Sequence, residues 1–161
     1  GHKHGYPLRI IEAVLQINVE QRQRFLQKIL DHFDNDLKGK RIAIWGLAFK
    51  PKTDDMRESP AVHIIEGLLS HGATVAAHDP EAMHTAARML GNRIDLFEND
   101  YAALEGADAL VLLTEWPVFR QPDFERIKVA LRQPVIFDGR NVYDPAHMRE
   151  MGFTYYGVGR S

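Results

Sequence analysis

With 161 residues, 45% of them hydrophobic, the chain can bury one ordinary core, since single domains commonly hold about 100 to 200 residues. Its 20 basic and 22 acidic side chains leave a formal charge of −2, which excludes a global field for nucleic acid or an anionic membrane. Cysteine is absent, excluding disulfides, thiolate metal sites and a cysteine nucleophile, and no apolar run approaches the ~20 residues of a membrane span.

The opening GHKHGYPLR has no initiating methionine, and its first residues resemble the remnant of a cleaved tag. Residues 1–5 are therefore set apart, the chain is expected to be an excised part of a longer protein, and a soluble, cytoplasmic location is expected.

Helical spacing then runs from Leu8 to Leu37, with apolar residues at Ile11, Val14, Leu15, Phe25, Ile29 and Phe33. Residues 6–38 are predicted to form one long helix, ended by Asp36 to Lys40 with Gly39. Asn18, Gln21 and Arg22 interrupt its apolar face and read as a solvated patch. So long a helix beside one small domain points to packing on a second copy or a further domain.

From residue 39 to 161 short apolar strands alternate with helices. RIAIW is followed by a helix over Pro60 to Ser70, TVAAHD by a helix over Glu81 to Leu90, and RIDLF by a short helix at Tyr101 to Glu105. ALVLLTEW, a helical piece over Asp123 to Leu131, PVIFDGR, AHMREM and TYYGVG complete the series. This alternation predicts an α/β fold with a Rossmann-like, doubly wound parallel sheet. Ser59 and Pro60 supply a helix start, and Gly72 and Gly91 sit where helices should end.

Ligands of such sheets lie beyond the carboxyl ends of the strands. There the first strand runs into GLAFKPKTDDMRESPA, far longer and more charged than the about 2 to 6 residues that a βα connection needs. Lys50 from this loop and Arg140 after the fifth strand project from the same edge. With Phe49, a turn at Gly46 that permits close approach, and unengaged backbone N–H groups after it, they suit a nucleotide diphosphate. The dinucleotide pattern G-x-G-x-x-G is absent after Gly46. Asp79 is placed like a ribose acid, but before Pro80 an Asx turn is the preferred reading. Asp54 and Asp55 are read as partners of Lys52 or Arg57 or as caps, and no metal is expected. The histidines and both tryptophans are read as surface or packing residues.

GLAFKPKTDDMRESPA, DGRNVYDP and GFTYYGVGR, in that order, resemble the C-terminal UDP-sugar-binding domain of UDP-glucose 6-dehydrogenases. HGYPLRIIEAVLQINVEQRQRF is similar to that family's central dimerisation helix. The resemblance implies an enzyme that oxidises UDP-glucose to UDP-glucuronate with two NAD through a cysteine thioester, and a homodimer. It further implies that Phe49, Lys50 and Arg140 bind the UDP-sugar, that Arg57 reaches NAD, and that Asn18 faces the sugar. The thioester cysteine and the NAD fingerprint are not in this sequence, so the chain alone is expected not to turn over. A dehydrogenase of GDP-mannose or of a UDP-aminosugar is the alternative within the family, and a non-catalytic nucleotide-binding module the alternative outside it.

Overall fold

The computed structural model describes residues 5–57 and 59–159, with side chains from residue 19 onward. Helix α1 spans Gly5–His32. It is followed by β1 (Arg41–Trp45), α2 (Pro60–Ser70), β2 (Thr74–His78), α3 (Met83–Leu90) and β3 (Asp95–Leu96). Then come β4 (Ala109–Leu112), α4 (Phe124–Ala130), β5 (Val135–Asp138), α5 (Pro145–Glu150) and β6 (Thr154–Gly157).

The strands form one sheet in the order β3-β2-β1-β4-β5-β6, and every pairing is parallel. This is the doubly wound order, with its switch point between β1 and β4. Strands buried on both faces should be continuously apolar, and β4 and β5 are buried at every position. At the centre Trp45 stacks on Phe119 with ring centroids 4.8 Å apart, and its indole N–H reaches the Asp100 carbonyl at 2.8 Å.

Helix α2 starts as expected, with Ser59 Oγ accepting from Ala61 N–H and proline in the first turn. α3 begins two residues later than predicted, because the N–H groups of Glu81 and Ala82 bond to Asp79 Oδ1 instead of extending the helix. The helix predicted over Tyr101 to Glu105 is a single 3-10 turn, Ala102–Leu104.

The predicted run of α1 to residue 38 is corrected: the helix stops at His32. Asp34 and Asn35 adopt φ of 56° and 61°, and the Asn35 N–H closes back on the Leu30 carbonyl at 2.7 Å. Short polar side chains tolerate this left-handed turn, which ends a helix as glycine would. Leu37 consequently leaves the helix and is fully buried in the core. The buried described side chains of α1 are Phe25, Ile29 and Leu30, so its carboxyl-terminal part docks on the domain. Leu26 packs directly over Gly67 of α2, where a β-carbon would lie 2.3 Å from Leu26 Cδ2.

Candidate functional site: a cleft at the carboxyl edge of the sheet

A cavity of about 480 Å³ opens beyond the ends of β1, β4 and β5. Gln21, Arg22 and Phe25 of α1 form one side, and Phe49 with Lys50 forms another. Glu115 and Arg140 line it as well. Phe49 and Lys50 are thus brought together with Arg140, which is distant from them in sequence.

The first wall is the loop after β1, and its anchor is Asp79, which has no exposure to solvent. Its Oδ2 accepts from Leu47 N–H (2.7 Å), Ala48 N–H (3.0 Å) and the Trp116 indole (3.1 Å). Oδ1 accepts from Glu81 and Ala82 at 2.8 and 2.9 Å. Thr114 Oγ1 donates to the Ala48 carbonyl (2.7 Å) and Ser59 Oγ to that of Leu47 (2.9 Å). The backbone is therefore held from both sides, while the Phe49 side chain stays 43% exposed at the lip.

Two expectations change here. The N–H groups after Gly46 are engaged: those of Leu47 and Ala48 by Asp79, and that of Phe49 by the Asp55 carbonyl at 2.7 Å. Gly46, at φ 101°, serves the protein's own packing, because a β-carbon there would lie 2.5 Å from the Thr114 nitrogen. Asp79 does make the expected Asx turn, and it also ties β1, β2 and the β4 loop together.

The second wall follows β5. Asp138, also fully buried, accepts from Arg140 N–H (3.1 Å), Tyr143 N–H (2.9 Å) and the Tyr155 hydroxyl (2.8 Å). Burial, reinforced by the Asp138 charge, pushes the Tyr143 phenol up, and its hydroxyl donates to the Phe119 carbonyl at 2.6 Å. Asn141, at φ 53°, exchanges two hydrogen bonds with the Val158 backbone at 2.9 and 2.8 Å. The segment carrying Arg140 is thereby fastened to the backbone just after β6.

Arg140 presents its guanidinium to Glu115, with Nε bonded to Oε2 and Nη2 to Oε1 at 3.2 Å. Lys50 has no hydrogen-bond or ion-pair partner among the described residues. Glu115 carries no signal of a role in the sequence, since an acid after a strand has no partner visible in the local sequence. Gln21 and Arg22, read as a solvated patch, also line the cleft, Gln21 exposed and Arg22 half-buried.

Arg57 lies elsewhere. Its Nε and Nη2 bond to the Asp55 carboxylate, both at 3.1 Å, and its side chain is 87% exposed beside a second hollow bordered by α3. These hydrogen bonds from Arg57 hold the Asp55 carboxyl below its usual range. Asp54 faces His84 at 3.1 Å. Asn18 belongs to α1, but its side chain lies outside the described residues. Among the described residues no cluster of three potential metal ligands occurs, and no helix is long and apolar enough to cross a membrane.

The profile of the UDP-glucose/GDP-mannose dehydrogenase family, UDP binding domain, matches residues 43–145. The UDP-glucose 6-dehydrogenase of Pseudomonas aeruginosa is 47% identical over 99% of this chain and 36% of its own length. That of Bacillus subtilis is 41% identical over 97% of this chain and 34% of its own. The chain thus spans about a third of the length of the curated relatives it matches. A solved UDP-glucose dehydrogenase from Pyrobaculum islandicum superimposes with a TM-score of 0.81 at 34% identity, covering 100% of this chain and 34% of that one. With its profile match spanning more than half of the sequence and its sheet order that of the doubly wound fold, the chain belongs to the UDP-glucose/GDP-mannose dehydrogenase family.

Proposed function

We propose that this chain is the UDP-sugar-holding part of an NAD-dependent UDP-glucose 6-dehydrogenase. The supporting observation is the convergence of Lys50 and Arg140, beside the exposed ring of Phe49, on one cleft at the switch-point edge of the sheet. Two cations lining one cleft match a diphosphate, and the aromatic ring supplies a face for the nucleoside. In this reading residues 39–161 hold the nucleotide and helix α1, Gly5–His32, is the one that pairs two copies. Asn18, one turn before Gln21 and Arg22 in α1, is assigned to the sugar by the resemblance of that helix.

NAD would accept the hydride from C6, but the switch point here does not fit a dinucleotide. The glycine pattern is missing, and Asp79, in the place of a ribose acid, has both oxygens occupied by internal donors. Arg57 is assigned to NAD from outside the cleft, consistent with its place in a separate hollow from Lys50 and Arg140. This chain's part in the reaction is to bind and orient the substrate.

Calorimetric titration of UDP tests the assignment. Charge-assisted hydrogen bonds contribute about 1.5 to 3 kcal/mol, so Lys50→Ala should weaken binding about 10- to 150-fold. Arg140→Lys should also lose affinity, because an ammonium does not reproduce the planar fork. Arg57→Ala should leave UDP binding nearly intact. Binding that survives both Lys50 and Arg140 changes contradicts the site.

A further inference from the structure

We propose that Glu115 is a charge-selecting residue of the cleft, one that favours a diphosphate linked to a sugar over the same nucleotide with a free terminal phosphate. The inference rests on the UDP-sugar reading above. Its starting point is the asymmetry between the two cations: Lys50 is unpartnered among the described residues, whereas Arg140 already carries a carboxylate across Nε and Nη2. Carboxylate and phosphate compete for the same edges of a guanidinium. A diphosphate drawn to Arg140 therefore either turns Glu115 away or binds against its charge.

Glu115 has little room to retreat. Both neighbours are buried and fastened: Thr114 through its hydroxyl to the Ala48 carbonyl, and Trp116 through its indole to Asp79. The backbone at residue 115 is fixed between them, so the side chain moves only by changing rotamer and its charge stays at the cleft wall. With the Glu115 side chain 24% exposed and that of Arg140 40% exposed, water screens this charge only in part.

Repulsion from a fixed negative charge scales with the charge of the ligand. A sugar-linked diphosphate carries two negative charges, whereas a free terminal phosphate loses a second proton near pH 6 and adds about one more at neutral pH. Glu115 thus opposes a free nucleoside diphosphate, or pyrophosphate, more strongly than the sugar-linked form. A carboxylate that only oriented Arg140 would instead support all three ligands alike.

The test is titration of UDP-glucose, UDP and pyrophosphate into the wild type, Glu115→Gln, Glu115→Ala and Arg140→Ala at pH 8. The expected result is that both Glu115 variants bind UDP more tightly, with a gain about fivefold larger than for UDP-glucose. At pH 5.5, where the terminal phosphate is largely protonated, that difference should shrink toward none. Unchanged UDP-glucose to UDP ratios in both variants, or an equal loss of affinity for both ligands, overturns the proposal while leaving the UDP-sugar reading intact. If uridine nucleotides bind no better than pyrophosphate, yet pyrophosphate binding tightens in both Glu115 variants and weakens in Arg140→Ala, the UDP-sugar reading fails and the charge selection stands. No binding of any ligand to any variant overturns both.

Discussion

A fully buried carboxylate is tolerated only when donors take up its lone pairs, and Asp79 receives them from three separate segments. Asp79→Ala would leave the N–H groups of Leu47 and Ala48 without acceptors and release the loop that carries Lys50. The expected loss of stability is about 3 to 5 kcal/mol, read from urea denaturation; a change below about 1 kcal/mol would contradict the anchoring role. Gly46→Ala should be similarly damaging, by more than about 2 kcal/mol, since the β-carbon meets backbone rather than a movable side-chain end. Half of the role of Asp79 was legible in sequence. The Asx turn to Glu81 and Ala82 is local, whereas Leu47, Ala48 and Trp116 stand 32, 31 and 37 residues away and come near only through the parallel sheet.

At the scale of elements, strand and helix order was readable because buried parallel strands leave continuous apolar runs between amphipathic stretches. The misreadings share one cause: polar side chains and backbone closures outcompeted periodicity, as where Asp34 and Asn35 end α1 before the apolar pattern runs out at Leu37. The docked end of α1 offers a pH test. His32 Nδ1 lies 2.9 Å from the Tyr156 hydroxyl, and the ring sits edge-on to Phe137 and Tyr156. Burial lowers the pKa of His32, with Asp34 opposing, so the unfolded chain binds the proton more readily. Its contribution to stability is fully present above the unfolded value of about 6.5 and is lost as pH falls through the lower folded value. Urea midpoints of the wild type should therefore fall between pH 7 and 5 by more than those of His32→Gln. Equal slopes would show that protonation of His32 is not coupled to docking.

On the scale of the whole molecule, the proposed division of labour has two consequences. Purified chain supplied with UDP-glucose and NAD should generate no NADH at 340 nm, since it contains no cysteine to carry a thioester. The chain should also self-associate through α1, whose 28 residues extend about 42 Å. Its buried described side chains, however, begin only at Phe25. Light scattering at high protein concentration should give a dimer mass, and a strictly monomeric species with the helix formed would count against that pairing. The most direct measurement of the central claim is a crystal structure of the chain with UDP-glucose. Diphosphate oxygens are expected within hydrogen-bond distance of Lys50 Nζ and the Arg140 guanidinium, with the uridine beside Phe49. A diphosphate seated instead near Asp79 and the start of α3, or in the hollow beside Arg57, would contradict it.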